Sequence, residues 1–309
     1  MKEMIDVIIP TYKPGAELWA LIDILKRQTV EVHRIILMNT EQSYYDALIS
    51  EDKGMSEDDI LEVHHIAKSD FDHGKTRNEG VKYSGADIVV LMTQDAMPAD
   101  EKFVEKLTLP LSDKKIAACY ARQLAGEGST IVEQVTREFN YPDSDLIKGV
   151  EDTERLGIKT YFCSNVSCAY NREIFDSLGG FINHTIFNED MIYAAKAIKN
   201  GYKIAYASEA KVFHSHNYSA TEQFHRNVDI GISQAEHPEV FEGISSESEG
   251  MKMVKTTIRR LCKEGQIHKV IPYVYMTGCK YIGYKIGKNY RKMPMGFIRK
   301  CSMNPHYFG

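Results

Sequence analysis

The chain begins with a short apolar run, Ile5-Asp6-Val7-Ile8-Ile9, and similar runs recur at 35–38, 60–66, 88–92 and 116–120. Each is too short for a buried helix, rich in β-branched residues and bounded by polar ones, which is the pattern of a strand covered on both faces. Stretches with helical spacing separate them at 15–28, 42–50, 75–84 and 100–109. This alternation predicts an α/β fold: a mostly parallel, twisted, Rossmann-like sheet with flanking helices and right-handed crossovers. Ligands of such sheets bind beyond the carboxyl ends of the strands. Pro10-Thr11-Tyr12, Asn39-Thr40-Glu41, the loop 71–78 and Thr93-Gln94-Asp95-Ala96 all fall at those ends. One rim of the sheet is therefore the predicted binding face.

From 123 to 160 the pattern weakens, predicting a long loop or short helices. Tyr161–Tyr170 reads as a strand, 171–178 as a helix ending in the turn Gly179-Gly180-Phe181, and Tyr202–His214 as one or two strands. Asn188-Glu189-Asp190 caps a helix running to about 200. The stretch 236–250 holds five Glu, no Lys or Arg and several Ser and Gly, and marks a boundary between a domain at 1–235 and a C-terminal region at 236–309. There Ile267, Val270, Ile271 and Val274 form an i, i+3, i+4, i+7 stripe, so the region is expected to be helical.

Composition changes this picture little. At 43% hydrophobic and 26% charged the chain is ordinary for a globular protein, and its 309 residues can bury a full core. No apolar stretch approaches the ~20 residues that span a bilayer, and the immediate first strand predicts no signal peptide. Six cysteines without a C-x-x-C pair fit reduced thiols in a cytoplasm.

Charge changes it more. Residues 252–300 carry thirteen Lys or Arg against the single acid Glu264, a balance of +12 in a chain whose total is −5. Such a tail on an acidic body predicts an anionic partner: a membrane surface, a nucleic acid or another subunit of a homo-oligomer. No nucleic-acid-binding module accompanies the charge, so nucleic acid is disfavoured. The tail's tyrosines and apolar stripe suit an interfacial helix at an anionic membrane. Packing of the stripe on the acidic body is the competing expectation.

Asp95 closes the fourth strand, where a carboxylate can hold the cation that accompanies phosphate. In Phe71-Asp72-His73-Gly74-Lys75-Thr76-Arg77-Asn78, Asp72 can cap a helix, and a helix N-terminus with cations suits phosphate. Gly74 would let backbone approach a ligand, Arg77 reads as a phosphate or base contact, and Lys75 as an exposed cation. His214 ends a strand, with His216 two residues on. Helix capping and dipole alone can account for Glu189 and Asp190. Tyr12 can stack on a base or simply pack, and Trp19 reads as core.

Val7-Ile8-Ile9-Pro10-Thr11-Tyr12, the 71–78 loop, Thr93-Gln94-Asp95, Gly179-Gly180-Phe181 and Glu189-Asp190 resemble, in order and spacing, the landmarks of family 2 inverting glycosyltransferases. The resemblance covers roughly residues 4–230 and implies the A-type nucleotide-sugar fold. The 71–78 loop, Thr93-Gln94-Asp95-Ala96, Phe213-His214-Ser215-His216-Asn217-Tyr218-Ser219 and Lys280-Tyr281-Ile282-Gly283-Tyr284 look more narrowly like bacterial rhamnosyltransferases. Thr93 departs from the family's D-x-D pattern.

The resemblance implies donor contacts from Pro10, Thr11, Tyr12, Asn39, Thr40, Glu41, His73, Gly74, Arg77, Gln94 and Asp95. It implies Mn²⁺ or Mg²⁺ on Asp95 and His214. Asp190 would be the general base, with Glu189 beside it. Asn165, Ser167 and His216 are the acceptor-side candidates. The implied activity moves a sugar, L-rhamnose from dTDP-rhamnose, onto a lipid-linked cell-surface polysaccharide, with the enzyme cytoplasmic or peripheral on the inner membrane face. The alternatives are a UDP-sugar donor, a sugar-nucleotide pyrophosphorylase, or a non-catalytic glycan-binding module.

Overall fold

The computed structural model describes residues 3–51, 59–216, 218–242 and 247–309, so 243–246 of the predicted boundary and Asn217 lie outside the described residues. Nine strands form one sheet: β1 (Ile5–Tyr12), β2 (Arg34–Thr40), β3 (Leu61–Ile66), β4 (Ile88–Met92), β5 (Met97–Pro98), β6 (Ile116–Leu124), β7 (Leu146–Lys148), β8 (Ser167–Asn171) and β9 (Lys203–Phe213). The helices in the first half are α1 (Glu17–Lys26), α2 (Gln42–Glu51), α3 (His73–Tyr83), α4 (Phe103–Thr108), α5 (Ile131–Asn140) and α6 (Thr153–Leu156). After them come α7 (Arg172–Ser177), α8 (Glu189–Lys199), α9 (Ala220–Glu236), α10 (Pro238–Phe241), α11 (Glu247–Lys263), α12 (Val270–Lys288) and α13 (Met295–Cys301).

The strand order is β3-β2-β1-β4-β8-β6-β9-β5, with β7 pairing β9. The β3-β2-β1-β4 half is parallel, as the alternation predicts, and β6 also runs parallel to β9. The sheet as a whole is mixed, because β8 enters antiparallel between β4 and β6, and β5 and β7 pair antiparallel with β9. The chain steps outward from β1 to β3 and then crosses back to β4 on the other side of β1. That reversal opens a crevice at the carboxyl ends of β1 and β4, where such sheets bind ligands.

Continuous apolar runs are explained by two cores. Val7, Ile9, Ile35, Leu37, Ile88 and Val90 enter one, with Leu18, Ile22 and Leu25 of α1. The alternate residues Ile8, Ile36, Met38, Val89 and Leu91 enter the other, with Phe175, Tyr193 and Ile198. A period of two on a sheet covered on both sides makes both alternating sets of positions apolar along most of each central run, with Asp6 the buried polar exception in β1. Trp19 is core, as expected, at 7% exposure.

The C-terminal region is helical, as its stripe predicts. It is fastened to α9 by backbone-to-backbone contact: a Cβ added at Gly287 would sit 2.1 Å from the Val228 carbonyl oxygen, and one at Gly283 2.4 Å from that of Phe224. α11 packs through Val254, Ile258 and Leu261 on Ile131 and Val135 of α5, with Tyr273 of α12 in the same cluster. α5, α9, α11 and α12 thus form a helical layer over the carboxyl ends of the strands.

Candidate active site

Under that layer lies a cavity of about 860 Å³. Asp95, Gln123 and His214 reach it from turns and strand ends, His73 and Arg77 from α3, Glu189 and Asp190 from the start of α8, and Arg226 and Lys280 from α9 and α12. The capped helix at α3 forms as predicted: Asp72 Oδ1 accepts from the amides of Gly74 (2.9 Å) and Lys75 (2.8 Å), and Lys75 is exposed.

Asp95, His214 and His216 converge. Asp95 Oδ2 is 3.5 Å from His214 Nε2 and 3.4 Å from His216 Nε2, and one ligand atom from each lies within 4.8 Å of the others. The outer nitrogen of His214, Nδ1, is 2.9 Å from Gln123 Oε1, itself held by Arg137. An amide oxygen there fixes the Nδ1–H tautomer and leaves Nε2 free as a ligand, the arrangement that supports metal-bound imidazoles. Burial opposes ionisation of Asp95, but hydrogen bonding and charge from His214 more than offset it and hold the carboxyl below its usual range. Two imidazoles and a carboxylate fit a divalent cation with room for further oxygen ligands. His216, expected on the acceptor side, thus lies with Asp95 and His214 in one group that could hold a metal.

The acidic pair is buried and unequal. Arg77 Nη1 lies 3.2 Å from Glu189 Oε1, and Asn165 Nδ2 donates to the same oxygen at 3.1 Å. Burial disfavours the Glu189 anion, but Arg77 and then His73 outweigh it, so its pKa is lowered. Asp190 forms no ion pair among the described residues: burial, then the Glu189 charge, push it up to about 7. Its Oδ2 accepts from the Asn165 amide at 3.0 Å, and Tyr170 donates to Asn165 Oδ1 at 2.7 Å. The preceding residue, Asn188, holds φ +66°, tied by its amide to Ser233 of α9 at 3.0 Å. Left-handed backbone in a non-glycine residue costs free energy that the surroundings must supply, and it turns the acids into the cavity.

Several of the expected site residues are engaged by partners within the protein or lie off the cavity wall. Arg77 meets Glu189 and the His73 carbonyl (2.8 Å). The backbone that closes on Gly74 is Ile182, whose carbonyl oxygen would be 1.8 Å from an added Cβ. Ser167, 1% exposed and paired with Met92 in the sheet, is absent from the cavity wall. Asn165 is on the wall, but both ends of its amide are engaged by Glu189 and Tyr170.

The other donor-side residues form a second cluster at the ends of β1 and β2. Following Pro10, Thr11 donates to Asn39 Oδ1 (3.1 Å), and Asn39 Nδ2 reaches the Glu41 carbonyl (3.2 Å). Among the described residues the buried Thr40 hydroxyl has no hydrogen-bond partner. Gln94 clamps the Tyr12 backbone, accepting from its amide at 2.9 Å and donating to its carbonyl at 3.1 Å. The Tyr12 ring, 38% exposed, stands edge-on to Tyr44, with Lys13 and Lys68 over its face. It is an open aromatic surface one residue beyond Thr11.

The pattern that weakens after 123 concealed Gln123, and nothing in the sequence marked Arg226. Arg226 lies 4.5 Å over Phe187 and 5.7 Å over Tyr218 and forms no ion pair among the described residues. Burial lowers its pKa and that of Lys280. Asp190 and Asp229 act on Arg226 and Glu133 on Lys280, but burial prevails at both; cations in a desolvated wall fit an anionic ligand.

Comparison with known proteins decides the family: the glycosyl transferase family 2 profile matches residues 6–179. The chain belongs to glycosyl transferase family 2. It is 38% identical to the O-antigen chain rhamnosyltransferase RfbN of Salmonella typhimurium, covering 98% of this chain and 96% of that protein. It is 35% identical to the O-antigen chain rhamnosyltransferase WbaN of Salmonella anatum, covering 98% and 95%. Among solved structures it is similar to the Pyrobaculum calidifontis mannosyltransferase PcManGT in complex with GDP-Man and Mn²⁺, with TM-score 0.55 and 11% identity over 99% of this chain and 85% of that one. It is also similar to S. aureus TarS 1-349 in complex with UDP, with TM-score 0.52 and 14% identity over 94% and 91%. These two likenesses establish the fold, which is that of a glycosyltransferase.

Proposed function

We propose that this family 2 glycosyltransferase inverts configuration as it transfers L-rhamnose from dTDP-rhamnose to a hydroxyl of a lipid-linked cell-surface polysaccharide, working at the cytoplasmic face of a membrane. The observation that carries the chemistry is the meeting, in one cavity, of the Asp95–His214–His216 group with the buried base candidate Asp190. The sugar and the acceptor class rest on the two rhamnosyltransferase relatives.

Asp95, His214 and His216 would hold Mn²⁺ or Mg²⁺, the two imidazoles favouring Mn²⁺. Such an ion, when bound, neutralises charge that develops on the leaving diphosphate. Arg226 and Lys280 add fixed positive charge on the cavity wall. Tyr12, Thr11, Asn39 and Glu41 receive the base and ribose. Asp190 takes the proton from the acceptor hydroxyl as that oxygen attacks the anomeric carbon, and the bond to the diphosphate breaks with its electron pair leaving on phosphate oxygen. A carboxyl titrating near pH 7 is suited to accept a proton at that pH. Glu189 stays ionised on Arg77 and raises the basicity of its neighbour, while Asn165 holds both acids in place.

The test is nucleotide release from a panel of nucleotide sugars with a soluble rhamnose-accepting glycan. Turnover should be greatest with dTDP-rhamnose and stop when EDTA removes the metal. Preference for a UDP-sugar would overturn the donor assignment and leave the transfer chemistry standing.

A further inference from the structure

Helix α12 has two dissimilar faces, and both are apolar. One is packed: Tyr273, Gly283 and Gly287 are buried, while Met276 and Lys280 line the catalytic cavity. At 100° per residue the opposite face carries Ile271, Val274, Tyr275, Gly278 and Ile282, with Ile267 one turn earlier. These side chains face solvent: Ile271 is 80% exposed, Tyr275 67%, Ile267 64%, Ile282 56% and Val274 49%. The outward face of a helix at a protein surface is normally polar. A contiguous apolar stripe there marks a surface that something covers.

We propose that this face of α12 lies on a bilayer containing anionic phospholipid. Charge complementarity selects that occupant. The stripe is embedded in a region with thirteen cations and one acid, and Lys263, Lys269 and Lys285 flank it. A second copy docked face to face about a two-fold axis would bring the two +12 regions together. An anionic headgroup layer gains from the same charge, about 1 kcal/mol for each basic residue at the surface. The isoleucines and valine enter the acyl boundary, the tyrosines sit at headgroup level, and the lysine stems reach back to phosphate. No helix among the described residues is long and apolar enough to cross a membrane, so attachment of this kind is along the surface. Because Lys269, Pro272, Tyr273 and Met276 of the same segment line the cavity, docking through the outer face would hold the cavity about one helix diameter from the headgroup layer. A lipid-carried acceptor is then presented close to the cavity that holds Asp190. That last step rests on the proposed function, and the docking itself does not.

The experiment is co-sedimentation of the full chain with phosphatidylglycerol–phosphatidylcholine vesicles, repeated with Ile271→Glu/Tyr275→Glu. Both positions are exposed, so the double variant should melt as the wild type does and turn over a soluble acceptor equally well. Wild type should bind the anionic vesicles, release at high salt and ignore pure phosphatidylcholine, and the variant should partition about tenfold less or worse. Wild type that ignores anionic vesicles, or a variant that binds unchanged, overturns the proposal. So does a wild-type dimer in analytical ultracentrifugation that the variant splits, since the face is then a subunit interface. Vesicle binding without transfer from any nucleotide sugar would instead refute the functional reading and leave docking intact.

Discussion

The guanidinium of Arg77 lies 3.2 Å from the carboxylate of Glu189, and each side chain is only 7% exposed. This buried pair bears on the next residue. Burial, and then the Glu189 charge that Arg77 holds ionised, keep the proton on Asp190 up to about pH 7. Two adjacent acids thereby acquire different roles through environment alone.

Replacing Glu189 with Gln should move the pH profile in a defined direction. Only ionised Asp190 accepts a proton, so wild-type kcat/KM should rise with pH through about 7. Without the neighbouring charge Asp190 ionises more easily, and the acid limb should shift to lower pH. The same change strands the buried Arg77 cation, which costs on the order of 3–5 kcal/mol of stability. Thermal melting and a kcat/KM profile read the two effects separately. An unmoved acid limb would show that Glu189 does not tune the base.

The metal group should respond in graded fashion. Asp95→Ala and His214→Ala each remove a ligand and should abolish Mn²⁺ binding measured by calorimetry in the presence of a nucleoside diphosphate. Gln123→Ala leaves every ligand in place but frees the His214 ring, and should weaken Mn²⁺ binding about 10–100-fold. Normal affinity in the Gln123 variant would mean that its 2.9 Å contact with His214 Nδ1 does not orient the imidazole.

How much of this was legible beforehand depended on whether a residue's partner was local. β1, β2 and β4 were readable because both faces of each strand are buried, and Asp95 and His214 because they end strands abruptly. The predicted strand at Tyr161–Tyr170 forms only from Ser167, since the Asn165 backbone and side chain are drawn away to hold Glu189 and Asp190. The pairing of Arg77 with Glu189 is not legible in the chain because the two are remote in sequence. The same applies to Gly74, whose close neighbour is the Ile182 carbonyl. The apolar stripe of α12 was visible, but not its direction. Gly283 and Gly287 claim the other side of the helix for α9, and the sequence does not say which face such a contact will use.

That contact makes a stability prediction with two opposing terms. Ala is about 1 kcal/mol better than Gly inside a helix. At Gly287, however, the added Cβ would be 2.1 Å from the Val228 carbonyl, 2.9 Å from Gly231 Cα and 2.9 Å from Ile232 N, all backbone atoms. Separating two packed helices costs more than the propensity gain, so Gly287→Ala should lower the melting temperature and destabilise by about 1–3 kcal/mol. At Gly278, where an added Cβ meets nothing within 4 Å, the same substitution should be neutral or stabilising. Denaturant midpoints for the two variants, compared side by side, check the sign.

Asp190→Asn tests the account most directly, with turnover of dTDP-rhamnose and donor affinity measured on the same preparation. Asn keeps the shape of the side chain but cannot accept a proton at neutral pH. The value of kcat should fall by about a hundredfold or more, with the dissociation constant for the nucleotide sugar nearly unchanged. Near-normal turnover, or a loss of donor affinity that matches the loss of rate, would contradict Asp190 as the base.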